Sequence, residues 1–238
     1  MPMTLVDSET AVEGLGLSFR KCRPGPEQEL VDWFLRECPF RTPRGTELTV
    51  FCQPQLESGC PDIVLVLWST AAVEKWDHRR SDLTRDDIRV LHYLYSTGPS
   101  TIEDLRATFG RKVVTAIERL ASARTVRRLH GKWRARSLAA SFAVRRIVAI
   151  EAKIGKWAQA VHQAALNTWF ASDSCVLVPR VPRGAELLDQ ASDLGIHVLT
   201  RSDPNPVGKL SGTADLPRSY VSWLFNEWAW RQNLEAGV

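Results

Sequence analysis

Pro61-Asp-Ile-Val-Leu-Val-Leu-Trp68 and Ile147-Val-Ala-Ile-Glu-Ala-Lys153 decide how this chain is read. Each is an apolar run of strand length without polar alternation, the pattern of a strand covered on both faces. Each carries ionisable residues at one end only: Asp62 at the start of the first, Glu151 and Lys153 at the end of the second. Residues i and i+2 of a strand share a face, so Glu151 and Lys153 are expected to project together. If the two strands pair, two carboxylates and one ammonium converge at one sheet edge.

Elements of the same character surround these runs. Leu30, Val31, Phe34 and Leu35 follow Pro24-Gly25-Pro26 at helical spacing, which predicts a helix from Glu27 to Cys38, ended by Pro39 and Pro43. A strand is expected from Glu47 to Pro54, a turn over Glu57 to Pro61, and a short strand around Leu15–Phe19. After Lys153 come a helix over Trp157–Phe170, a strand over Cys175–Val178, a helix over Gly184–Leu194 and a strand over Ile196–Thr200. Asp203-Pro-Asn-Pro is a loop, and Arg218–Glu235 is a last helix. Its Trp223, Trp228 and Trp230 are expected to cover the core rather than stack on bases, with a homodimer contact as their alternative use. Alternating helices and apolar strands imply an α/β layer architecture.

The middle of the chain differs. Thr84–Thr97 has apolar Ile88, Leu91 and Leu94 behind a Thr-x-x-Asp entry. A second short helix is expected from Ser100 to Phe109 with Ser100-x-x-Glu103 as its cap, and a third from Lys112 to Ala121. Two alternating strands around His130-Gly131 follow. Three short helices and a hairpin make a winged helix-turn-helix pattern. From Arg79 to Arg146 there are 16 Lys/Arg against 6 Asp/Glu, whereas the whole chain carries only +4, so the flanks are acidic. Such segregation points to a polyanion-binding module set into an acidic body. DNA contacts are expected from Arg111, Lys112 and Arg119 on the third helix and from Arg127, Arg128, Lys132 and Arg134 on the wing, with Arg136 beside them.

Composition narrows the class further. The 238 residues are 44% hydrophobic, without the bias of a fibrous or disordered protein. The first twenty residues lack a secretory pattern, and no apolar run reaches membrane-spanning length. Five cysteines without a CxxC pair read as reduced, buried thiols of a cytoplasmic protein and argue against zinc. The five histidines show no metal or nucleophile-partner spacing.

Two acids and a lysine suit phosphodiester hydrolysis. The acids can hold Mg²⁺ (or Mn²⁺), which takes oxygen ligands and keeps waters of its own, while the lysine orients or deprotonates the attacking water. Without further context such a trio is a salt bridge between strand ends. Here the order of motifs, from the helix at Glu27 through Pro61-Asp62 on its strand and Glu151-Ala-Lys153 on another to the helix Trp157–Ala164 with Gln163 six residues after Trp157, resembles the PD-(D/E)XK nuclease superfamily of restriction endonucleases and Holliday-junction resolvases. The resemblance implies a restriction-endonuclease-like mixed sheet flanked by helices. It implies that Asp62 and Glu151 ligate the metal with help from the Ala152 carbonyl, that Lys153 serves the water, that Glu27 (or Glu29) adds an acid, and that Gln163 steadies the site. It covers residues 24–70 and 145–202. One departure stands out: 88 residues separate Asp62 from Glu151, and the basic segment fills that interval. The expected organisation is therefore a discontinuous nuclease-like core, 1–78 and 138–238, with a winged helix-turn-helix inserted at 79–137. The expected activity is metal-dependent DNA endonuclease action in repair, recombination or defence. The alternative is a catalytically inactive DNA-binding or regulatory protein that uses the same fold as a scaffold.

Overall fold

In the computed structural model, which describes residues 3–11, 15–37, 42–57, 59–181, 186–203 and 218–236, the two apolar runs become β3 (Ile63–Ser69) and β6 (Val144–Ala152), and they lie side by side. Expectations that fall on 38–41, 58, 184–185 and 204–206 concern residues outside that description. Asp62 meets Ala152 at one end of the pair and Ser69 meets Ala143 at the other, which makes β3 and β6 antiparallel. The other sheet strands are β1 (Met3–Val6), β2 (Thr46–Cys52), β7 (Asp173–Val178) and β8 (Ile196–Thr200). They form one mixed six-stranded sheet in the order β1-β2-β3-β6-β7-β8, with β1/β2, β6/β7 and β7/β8 parallel.

The period-2 rule explains how this sheet is covered. Leu48, Val50, Ile63, Leu65, Val148, Ile150, Cys175 and Leu177 cluster with Leu30, Val31 and Phe34 of α1 (Pro26–Glu37). Val176 and Val178, one residue out of phase on β7, pack against Ala160, Val161 and Ala164 of α7 (Trp157–Asn167) and Ala191 of α8 (Glu186–Asp193). Helices therefore flank both faces of an α/β sheet. Full burial of each such aliphatic side chain contributes about 1.5–3 kcal/mol over exposure. The short N-terminal strand departs from expectation. It lies at Met3–Val6, while Phe19 makes only an isolated bridge to Pro54.

Between β3 and β6 run α2 (Thr70–Val73), a 3₁₀ turn at His78–Asp82, α3 (Arg85–Thr97), α4 (Ile102–Phe109), α5 (Val113–Ser122), the hairpin β4 (Val126–Leu129) and β5 (Lys132–Ala135), and α6 (Leu138–Ser141). Thr84 and Asp87 form the expected capping box of α3. For α4 the capping box is Thr101 with Asp104, one residue beyond the expected Ser100; the Ser100 backbone instead bonds to Trp133. His130 and Gly131 both take positive φ, 49° and 78°, as a two-residue hairpin turn matched to strand twist requires.

The chain folds into two compact units: Met1–Ala11, Leu17–Trp68 and Arg145–Pro217 in one, and Val12–Gly16, Ser69–Val144 and Arg218–Val238 in the other. The sequence pattern set the limits of the inserted segment at 79 and 137 and placed the last helix with the sheet. The helix α9 (Tyr220–Ala236) instead joins the second unit. Its Val221–Trp230 stretch is buried at every position, so this is no one-faced cover for a sheet. Trp223, Trp228 and Trp230 are all buried. Asn226 accepts from the N–H of Ala143 at 2.7 Å, and the Glu227 carboxylate accepts from Arg80 Nε at 2.9 Å. Among the described residues no helix is long and apolar enough to cross a membrane.

Candidate active site

Glu151 lies on the face of β6 opposite α1, because Ile150, one position away, points toward α1, and Asp62 sits at the entry to β3 against the end of β6. Both acids are buried, at 6% and 4% exposure. Asp62 Oδ2 accepts the backbone N–H of Ala152 at 2.9 Å, and Oδ1 accepts from Arg20 at 3.1 Å. Glu151 Oε1 accepts from Asn167 Nδ2 of α7 at 2.9 Å. Burial raises the pKa of both acids. It lifts Asp62 above the usual carboxylate range against the pull of Ala152 N–H, Lys153 and Arg20. Glu151 is pushed up to about 7, first by burial and then by the charge of Asp62. The site therefore holds two buried carboxyl groups whose loss of water outweighs the nearby charges of Arg20 and Lys153.

The ammonium departs from the expected arrangement. β6 ends at Ala152, so the i, i+2 relation does not carry through to Lys153. The Lys153 backbone N–H bonds to the carbonyl of Leu177, and its Nζ reaches Glu27 Oε2 at 3.2 Å. Lys153 still lowers the pKa of both Asp62 and Glu151, so its charge is felt at the acids without a bond to either. This contact distinguishes the two helix-start acids: both are exposed, and Glu27 pairs with Lys153. Gln163 is on α7 four residues before Asn167, hence on the same helical face, and among the described residues its buried Oε1 has no hydrogen-bond partner.

Arg20, Asn167 and Gln53 were not singled out from the sequence. Asn167 was within reach of a helical-face argument from Gln163. Arg20 comes from an irregular stretch and Gln53 from the first residue past β2, where no periodicity speaks. Gln53 Oε1 accepts from Arg20 Nε at 3.3 Å, and its Nε2 donates to Gln28 Oε1 at 3.3 Å. Of the cysteines, Cys52 and Cys175 are buried as expected, but Cys22 is exposed and Cys60 half-buried. Burial pushes the Cys52 thiol up to about 12, so it stays protonated.

Among the described residues no group of three or more His, Cys, Asp or Glu side chains forms a metal cluster. Asp62 and Glu151 supply two hard oxygen donors. Ala152, extended with its N–H toward Asp62, presents its carbonyl to the same side. Two buried carboxyl groups with a carbonyl fit a small divalent cation that keeps waters of its own.

In the second unit, the expected nucleic-acid contacts divide into two groups. Arg119 is bound to the buried Asp87, at 2.7 Å from Nε and 2.8 Å from its terminal nitrogen, so it ties α5 to α3. Arg111, Lys112, Arg127, Arg128, Lys132 and Arg134 are exposed and carry no ion pair among the described residues. On the hairpin, Arg127 is directly opposite Arg134, and Leu129 opposite Lys132. Val126 and Ala135 on the other face are buried.

No family model matches this chain, and no match was found among curated proteins or solved structures.

Proposed function

We propose that the chain is a divalent-metal-dependent DNA phosphodiesterase of PD-(D/E)XK type, with a restriction-endonuclease-like core and a winged helix-turn-helix that holds duplex DNA. The observation that carries this is the pair Asp62, at the entry to β3, and Glu151, on the neighbouring β6, both buried and both with carboxyl pKa values raised by that burial. Asp62, Glu151 and the Ala152 carbonyl would hold the cation. When bound, Mg²⁺ or Mn²⁺ would activate water and neutralise charge on a scissile phosphate. Lys153, held by Glu27, lies where a charge near both acids can orient an attacking water. Asn167 fixes the Glu151 carboxyl, so its free oxygen keeps one direction.

The exposed cations of the hairpin support the nucleic-acid half. Like charges placed directly opposite on a strand pair are unfavourable in water. Arg127 opposite Arg134 becomes favourable when an anion lies across both, as a phosphate backbone does. A non-catalytic DNA-binding role has one observation behind it: both oxygens of Asp62 already have partners, as in a structural ion pair. Incubation with linear, nicked, flapped and branched DNA in Mg²⁺, Mn²⁺ or EDTA separates the two. Metal-dependent scission of any substrate supports the enzyme. Binding without scission in every metal supports the scaffold.

A further inference from the structure

Arg20 joins a fixed backbone to an accessible head. Its N–H donates to the Gln53 carbonyl at 3.0 Å, the Gln55 N–H donates to the Ser18 carbonyl at 2.8 Å, and Phe19 bridges Pro54. Gln53 makes this junction with a left-handed backbone, φ 52°, which turns its carbonyl toward the Arg20 N–H and the Cys60 thiol. Such a conformation in a residue other than glycine persists only where the surroundings hold it. The side chain is different in kind. It is 49% exposed and ends on Asp62 Oδ1 at 3.1 Å. The guanidinium can therefore exchange partners while its backbone stays in place.

Asp62 has two oxygens, and Arg20 holds the one that Ala152 leaves open. A divalent cation on Asp62 and Glu151 competes for that oxygen and repels the guanidinium beside it. An ion pair with a half-exposed partner is a weak competitor against a doubly charged ion between buried carboxylates. The released guanidinium is a planar fork suited to phosphate oxygens. We propose that Arg20 is a phosphate-binding residue for the nucleic-acid substrate, seated on Asp62 until a divalent cation takes that carboxylate and then turned to the neighbouring phosphate. This rests on the metal-dependent phosphodiesterase assignment.

The test uses the full chain as wild type, Arg20→Gln and Arg20→Lys, with folding checked by thermal unfolding. Mn²⁺ binding is read by electron paramagnetic resonance, and binding of a short duplex in Ca²⁺ by fluorescence anisotropy. Arg20→Gln is expected to bind Mn²⁺ about three- to tenfold tighter than wild type, because a competing cation is gone. The same variant is expected to bind the duplex about tenfold more weakly in Ca²⁺. Arg20→Lys, a point charge without the fork, is expected to change both in the same directions by less. Mn²⁺ affinity equal to or below wild type in a folded variant overturns the proposal, as does loss of fold in both. Wild type that binds no Mn²⁺ at millimolar concentration overturns the metal-site assignment itself, independently of Arg20.

Discussion

Asp62 and Glu151 are carboxylates placed where water reaches them least, and two expected outcomes follow from that placement. The first concerns chemistry. Asp62→Asn removes a proposed metal ligand, and Lys153→Ala removes a positive charge that acts on both acids without a bond to either. Either change is expected to lower the cleavage rate by about 10²–10⁴-fold while duplex affinity stays near wild type, since the exposed cations of the basic hairpin are untouched. Gel-based cleavage beside anisotropy checks this, and parallel loss of both readouts with loss of fold would make the trio a structural salt bridge. The second concerns stability. An unfolded Glu151 releases its proton in the ordinary carboxylate range, whereas the folded one holds it to about pH 7. Between those values the folded state binds more protons, so stability is greatest below the window and falls as pH rises through it. The full effect is about 3 kcal/mol, flat above pH 7. Glu151→Gln should flatten the profile of melting temperature against pH in EDTA, and Mg²⁺ should raise the wild-type curve most at the alkaline end. A wild-type melting temperature that does not fall between pH 5 and 7.5 would contradict a Glu151 carboxyl whose pKa burial has raised.

At the scale of elements, the hairpin β4–β5 buries one end of one face and leaves its cations, Arg128 of that face included, in solvent. Val126 and Ala135 face inward, and Arg127, Lys132 and Arg134 face solvent. Replacing Arg127, Arg128 and Lys132 together by alanine is expected to weaken duplex binding and reduce the log–log salt slope by roughly 0.9 for each phosphate no longer neutralised. Arg119→Ala should behave differently. It strips the partner from buried Asp87, so it should lower stability more than it changes the salt slope. Equal slopes for wild type and the triple variant would remove the hairpin from the DNA interface. The hairpin and the buried strands were legible in the sequence because each has a local signature: turn residues needing positive φ, or an apolar run without alternation. The strand Met3–Val6 was not, because four residues on a sheet edge carry too little pattern. For the same reason Asp62, Glu151 and Lys153 could be named from motif order. Arg20 could not, because its bond to Asp62 spans 42 residues and no local rule points to it.

At the scale of the whole molecule, the chain builds its basic unit from three separated segments, and the last contributes a helix that local pattern assigned elsewhere. Buried aromatic packing holds that helix in the unit, with Trp223 against Tyr95 and Phe142 and Trp230 against Trp76, and one buried polar cluster is set into it. Arg80, 1% exposed, donates to the Glu227 carboxylate through Nε and to the Ser141 carbonyl at 2.6 Å, and its guanidinium stacks on Trp76 with the ring centre 3.4 Å away. Asn226 Nδ2 adds a bond to Glu227 at 3.0 Å. Such a pair contributes little net stability over an apolar substitute, because both charges leave water, but loss of one partner strands the other. Glu227→Gln is therefore expected to cost about 3–5 kcal/mol in urea unfolding followed by tryptophan fluorescence, with Trp76 among the reporters. Arg80→Met combined with Glu227→Leu should recover most of that loss, since neither charge is then left unpaired. A fragment of residues 69–144 alone should be unstable for the same reason, because it keeps Arg80 and leaves Glu227 behind. Fusing 69–144 to 218–238 through a short Gly/Ser linker should restore a cooperative transition. A fragment of 69–144 that unfolds as cooperatively as the fusion would show that the last helix is dispensable to the basic unit.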